Sequence, residues 1–245
     1  QRLGAWAQET ALTPAIFLWR QPIRWRDLPD SPVGSALSPG PAVVLVHGFV
    51  CNRGFWAPWM QVLRSASVPY ASVNLEPVFG SIDEGIALME SAVSRAEQLG
   101  ALPPVLVCHS MGGLAARAWL ASAPGNLHRV SRVITIGSPH HGTWLARWSR
   151  VANGMQMRQR SPWLASLAQR EATLHGDKAF EKFVCWYSNA DHIVFPTSTA
   201  KLPGADNRHV PGTAHVALGF HPRVMRESLA MVLPASISPE ARTAS

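Results

Sequence analysis

The sequence predicts an α/β fold: a mostly parallel, doubly wound sheet with helices on both faces and a short helical insertion. Three observations carry this prediction. Strand-like runs alternate with helix-period segments along most of the 245 residues. One run, 42–46, reads Ala-Val-Val-Leu-Val, apolar at every position, as a strand buried on both faces of a parallel sheet must be. Another, Val105-Leu106-Val107-Cys108, breaks abruptly into His109-Ser110-Met111-Gly112-Gly113, a strand-to-helix turn with a serine at its apex. The length and a hydrophobic fraction of 47% suffice for one sizeable core, so a single domain over 42–233 is expected.

Residues 1–41 form an N-terminal segment in which Ala15-Ile16-Phe17-Leu18-Trp19-Arg20 and Ile23-Arg24-Trp25-Arg26 mix bulky apolar groups with arginine. Two readings stand side by side: a peripheral, interfacial stretch behind a removed signal peptide or membrane anchor, or a short edge strand packing its aromatics on the core. The start at Gln1 rather than Met fits the first, and with it a secreted or membrane-associated protein. Residues 28–41 are rich in Pro, Ser and Gly and read as a loop before the strand at 42–46. A helix over 55–67, a strand over 70–75 and an amphipathic helix over 82–99 follow, the last with Ile86, Met89, Ala92, Val93 and Ala96 on one face. After the serine turn come a helix over 114–122 and a β-branched strand over 130–136.

No strand is then apparent until 183–187, and a gap that long carries helices or function of its own. Within it, about 142–180, lie Trp144, Leu145, Trp148, Met155, Met157, Trp163, Leu164 and Leu167. Such a density of Trp and Met suits a cap over an apolar substrate better than ordinary helices packed on the sheet. A short strand over 207–210 and a helix over 222–233 close the domain, and 234–245 reads as a flexible tail.

The net charge is +7 and the isoelectric point about 10.2, yet the basic residues stand singly. Without a dense Lys/Arg block interleaved with aromatics, nucleic-acid binding is not expected. An arginine-rich surface favours an anionic interface such as a lipid headgroup layer. Cys51, Cys108 and Cys185 have no metal-ligand spacing and imply no disulfide framework, so they leave the redox compartment open.

The turn at Ser110 has the shape of a nucleophile elbow, which holds a serine hydroxyl proud of the backbone, close to a base and to amides that can take an oxyanion. Its usual pattern is Gly-x-Ser-x-Gly; here Gly112 keeps the second glycine and Cys108 stands at the first. The chain supplies the remaining parts at strand ends. Asp191 follows the strand at 183–187, and His215 sits on the loop between the last strand and the last helix. They are the expected acid and base, ahead of the rivals Asp206, His192 and His209; His192 adjoins the acid and is expected to point elsewhere. The amides of Phe49 and Met111 are the expected oxyanion donors, with His47 bracing the loop that carries Phe49. By proximity to these loops, Phe49, Trp56, Met111, Trp144, Phe195 and Val216 are expected to line the substrate site.

Five segments together resemble the bacterial triacylglycerol lipases and carboxylesterases of the α/β-hydrolase superfamily: His47-Gly48-Phe49, His109 to Gly113, Thr135-Ile136-Gly137-Ser138-Pro139-His140-His141-Gly142-Thr143, Asp191-His192-Ile193-Val194 and Gly212-Thr213-Ala214-His215. The resemblance spans 42 to about 230. It implies an α/β-hydrolase fold, an acyl-enzyme mechanism on carboxylic esters with apolar acyl groups, an ester or lipid substrate as partner, and no cofactor. Some lipases of this kind bind calcium or zinc, but no metal cluster is expected here. The same triad serves thioesterases, acyltransferases, amidases and polyester depolymerases, so these remain the alternatives.

Overall fold

Six strands form one sheet: β1 (Ser38–Val46), β2 (Tyr70–Val73), β3 (Gly100–His109), β4 (Arg132–Ile136), β5 (Phe183–Tyr187) and β6 (Asp206–His209). Their spatial order is β2-β1-β3-β4-β5-β6, and every neighbouring pair is parallel. The structure is a computed structural model that describes residue 10 and residues 13–34 and 37–233; the tail expected to be flexible, 234–245, lies outside the described residues. Parallel neighbours need crossover connections, and helices supply them: α1 (Ala57–Ser65), α2 (Gly85–Glu97) and α3 (Gly112–Leu120) in the first half. The insertion carries α4 (Ala152–Gln156) and α5 (Pro162–His175), and the chain closes with α6 (His215–Leu218) and α7 (Pro222–Ala230).

The strands at 42–46 and 105–109 both begin earlier than their apolar runs. Ser38 pairs with Gly100 and Pro41 with Leu102, with register shifts on either side of Pro41. Proline has no amide to give a ladder, and these shifts accommodate it inside a central strand. Gly100 fits here because a Cβ would lie 2.6 Å from the Gly40 carbonyl oxygen.

Side-chain alternation divides the interior into two cores. Ala42, Val44, Val46, Leu106 and Cys108 face α2, α3 and α5, while Val43, Leu45, Val105, Val107, Ile134 and Trp186 face α1 and α7. The expected face of α2 is buried at Met89, Ala92, Val93 and Ala96, with Ile86 packed at its border. The insertion divides. Met157, Leu164 and Leu167 are buried in the first core, whereas Trp144, Leu145, Trp148 and Met155 remain exposed.

The N-terminal segment departs from the edge-strand reading: Ala15–Arg20 winds as a π-helix and continues as α-helix over Gln21–Ile23. Only part of its apolar surface is buried. Ile16 lies fully inside the second core, while Leu18, Trp19 and Ile23 face outward. The polar Gln21 is buried because its side-chain oxygen accepts the Asn52 amide at 2.6 Å and its carbonyl accepts the Asn52 side-chain amide at 2.9 Å.

Candidate active site

Ser110 directly follows β3 with φ +53°, a left-handed conformation that non-glycine residues rarely adopt. The turn is held from both sides. The Ser110 amide donates to the Ile136 carbonyl at the end of β4 (2.9 Å), and the Ser110 carbonyl accepts the Gly113 amide at the start of α3 (3.1 Å). Gly112 is required because a Cβ there would stand 2.5 Å from the Val46 carbonyl oxygen and 2.7 Å from that of His47. At the one departure from the glycine pattern, Cys108 is fully buried in the first core, where a small apolar side chain fits and burial pushes its thiol pKa up. Gly48 approaches the serine so closely that a Cβ on it would lie 2.8 Å from the Ser110 Cβ.

Asp191, on the loop after β5, meets His215, which stands at the first position of α6 at the end of the loop after β6 rather than on that loop, with the Asp191 carboxylate Oδ2 2.7 Å from His215 Nδ1. The other carboxylate oxygen accepts the amides of Ile193 (2.9 Å) and Val194 (2.8 Å), which fixes the acid's orientation. Both side chains are buried, at 4% and 5% exposure, so the pair interacts in a poorly solvated setting. With Nδ1–H donating to the carboxylate, Nε2 is the ring nitrogen that can accept a proton. The two loops are pinned to each other: Ser188 Oγ accepts the amides of Ala190 and Thr213, and Asn189 Oδ1 accepts that of Gly212. Gly137, at φ +59°, passes beneath them, where a Cβ would be 3.2 Å from both Asp191 Oδ2 and His215 Nδ1.

Ser110, His109 and His215 open onto one cavity of about 410 Å³, whose other walls come from Thr13, Phe17, Phe49, Val50, Leu145 and Ile193, among others. Phe49 and Val216 are thus at the cavity. Trp56 is not: it is 0% exposed, packed edge-on against Phe55 and Trp59 in the second core, because the 3₁₀ turn Arg53–Trp56 rotates it inward. The Met111 side chain is likewise buried in the first core, while its amide heads α3. Trp144 and Phe195 are about half exposed outside the cavity lining, held together by the Trp144 amide donating to the Phe195 carbonyl (2.8 Å). Trp144 instead stacks on Arg147, as does Trp148.

His192, read from sequence as pointing away, lines the cavity. His209 does not: it lies on β6 against Tyr187, and Asp206 is paired with Arg208. Neither the Phe49 nor the Met111 amide donates a hydrogen bond to another described residue.

Three buried histidines surround this geometry, and of these His109 also lines the cavity. His47 Nε2 accepts the Leu75 amide (3.0 Å) and its Nδ1 donates to the Gly48 carbonyl (2.9 Å), the bonding of a neutral ring; burial holds its pKa at about 4. It braces the Gly48–Phe49 loop. His109 stacks on Phe55 and places Nε2 3.2 Å from the His215 carbonyl, and burial holds it well below the usual histidine range. His140 is neutral for the same reason and contacts Thr135 Oγ1 at 3.0 Å.

The Ser138 to Thr143 stretch turns out to be a brace. Thr143 Oγ1 donates to the Ile193 carbonyl and accepts the Phe195 amide, and the His141 amide donates to Thr199, so the stretch supports the loop that carries Asp191. Its other end is fixed by Arg117 of α3, which donates to the His140 carbonyl (2.7 Å) and makes a two-pronged, buried ion pair with Glu171 of α5. The sequence signal for this pair is an arginine within the apolar helix that follows the elbow.

A sequence model of the PGAP1-like alpha/beta domain matches residues 87–175, which include the elbow. No curated protein sequence matches the chain. Among solved structures, mature Bacillus licheniformis lipase BlEst2 is similar with a TM-score of 0.66 at 19% identity, over 82% of this chain and 96% of that one. Lipase B of Aspergillus fumigatus is similar at 0.66 and 18%, over 86% of this chain, and the propeptide form of the Bacillus lipase at 0.67 and 19%, over 84%. This chain spans only 57% and 53% of the lengths of those two. With the parallel sheet order and the strand-to-helix elbow, these likenesses define the fold as that of the α/β-hydrolases. Among the described residues, no three His, Cys, Asp or Glu side chains converge to hold a metal ion, and no helix is long and apolar enough to cross a membrane.

Proposed function

We propose that the chain is a serine hydrolase that cleaves carboxylic esters of apolar acyl groups, with Ser110 as nucleophile, His215 as base and Asp191 as orienting acid. One observation carries the reading: a strained serine at a strand-end turn shares its cavity with a histidine whose Nδ1 is 2.7 Å from a buried carboxylate. As Ser110 Oγ attacks the ester carbonyl, His215 Nε2 takes the hydroxyl proton, and the imidazolium is stabilised by Asp191. The amides of Phe49 and Met111 take the oxyanion of the tetrahedral intermediate. Collapse expels the alcohol, which receives the proton from His215 and leaves an acyl-serine. Water then attacks the acyl group, gives its proton to His215, and releases the acid as that proton returns to Ser110.

The acyl group, and not a charged one, is what a cavity walled by Phe17, Phe49, Val50, Leu145 and Val216 would accept. The Trp144, Arg147 and Trp148 stack beside it supports a lipid surface as partner, through aromatic and cationic groups together. In p-nitrophenyl ester assays, Ser110→Ala is expected to lower turnover by roughly 10³ to 10⁶, the scale of triad deletions. Turnover near the wild-type rate in that variant would refute the assignment.

A further inference from the structure

We infer that Phe17, on the N-terminal helical segment, is a specificity-determining residue that closes one side of the acyl site and sets the length of chain it admits. The inference rests on the hydrolase reading for its substrate, but the wall itself rests on packing. Phe17 and Thr13 line the same cavity as Ser110 and His215, although they lie outside the strand-and-helix repeat that builds the catalytic turn.

Phe17 is held on both sides along the chain. Ile16 before it is fully buried in the second core, and Gln21 after it is bonded twice to Asn52. Asn52 itself caps the next turn by accepting the Gly54 amide at 2.9 Å, and a Cβ on Gly54 would lie 3.0 Å from the Arg20 carbonyl oxygen. The helical backbone is therefore pressed against the loop that continues from Phe49. The π-helical winding of Ala15–Arg20 also alters the side-chain spacing of an ordinary helix, a device found often at functional sites. Leu145, from the insertion, lines the same cavity and is 46% exposed. A rigid aromatic wall limits chain length sharply, because each methylene it excludes forfeits about 0.8 kcal/mol, or about a fourfold gain in binding.

The test compares wild type, Phe17→Ala and Phe17→Trp on p-nitrophenyl esters from acetate to palmitate. Phe17→Ala is expected to raise the kcat/KM ratio of laurate over butyrate about fifteenfold, the worth of roughly two methylenes, and Phe17→Trp to lower it. Covalent labelling of Ser110 by a fluorophosphonate in both variants, at whatever rate, shows that the nucleophile remains competent, and matching thermal melts establish that they fold. Calorimetry of fatty-acid binding to Ser110→Ala and to Ser110→Ala/Phe17→Ala reads the same wall without turnover, and its preferred chain should lengthen when Phe17 is removed. Chain-length profiles unmoved within about twofold in esters and in fatty acids would overturn the inference. A wild-type protein that neither labels nor turns over esters, yet shows the fatty-acid shift, would sink the hydrolase reading and leave the wall standing.

Discussion

The cavity has two unlike walls. On the sheet side, Gly48, His109, Ser110 and His215 sit at strand ends where backbone approaches backbone, and at Gly48 and Gly112 a single added carbon would collide. On the other side, Thr13, Phe17 and Leu145 reach in as side chains from short helical segments laid against the domain. The first wall is fixed by hydrogen bonds and contacts that tolerate no change of shape; the second by which side chain happens to stand there. On the proposed reading, chemistry falls on the first wall and selectivity on the second, so that one can change without disturbing the other.

The contrast breaks most visibly at the acid. Asp191→Asn keeps the shape but offers no charge to the His215 ring, so kcat should fall by roughly 10⁴ with KM little changed, as measured by steady-state kinetics. Deeper in the same half of the molecule, Arg117→Met strands a buried Glu171 and should cost about 3–5 kcal/mol in urea unfolding. The double replacement of Arg117 and Glu171 by Met and Leu should recover most of that loss, since it removes both charges together.

Acidification probes the histidines behind the rigid wall. The His47 pKa is lowered on folding from an ordinary 6.5 to about 4, so the unfolded chain takes up the proton first. The stability it contributes is complete above pH ~6.5 and declines progressively as the pH falls toward ~4, by about 3 kcal/mol over that window. His109 and His140 shift in the same direction. Thermal melts from neutral to acid pH should fall accordingly, and His47→Gln should flatten part of the decline. On the selectivity side the effects are smaller. Leu145→Ala should leave the melting temperature within about a degree, as a half-exposed side chain on a short turn does, and should weaken only long-chain esters, by no more than about tenfold in kcat/KM.

The two walls were also unequally legible in sequence. The elbow, the strand 183–187 and the loop positions of Asp191 and His215 follow from local rules: an apolar run, a glycine, a strand end. Trp56 misled because nearness in sequence to the Phe49 loop says nothing about which way a 3₁₀ turn rotates an indole, and this one goes to the core. His192 misled in the opposite sense, since the direction of a loop side chain is set by its neighbours rather than by its place beside Asp191. Phe17 stood out in sequence only as one of several bulky apolar residues in the run 15–20. The role proposed for it depends on Gln21 meeting Asn52, a pairing between distant parts of the chain that neither residue announces. Within the insertion, Trp and Met content alone does not separate Met157 and Leu167, which enter the core, from Trp144 and Trp148, which stay outside.

The central claim is that Ser110 is the activated nucleophile of this cavity, and covalent labelling addresses it most directly. A fluorophosphonate probe, followed by peptide mapping, should mark Ser110 in the wild-type protein, fail to mark Ser110→Ala, and react far more slowly with His215→Ala. Labelling on a different serine, or none on the folded wild-type chain, would contradict it.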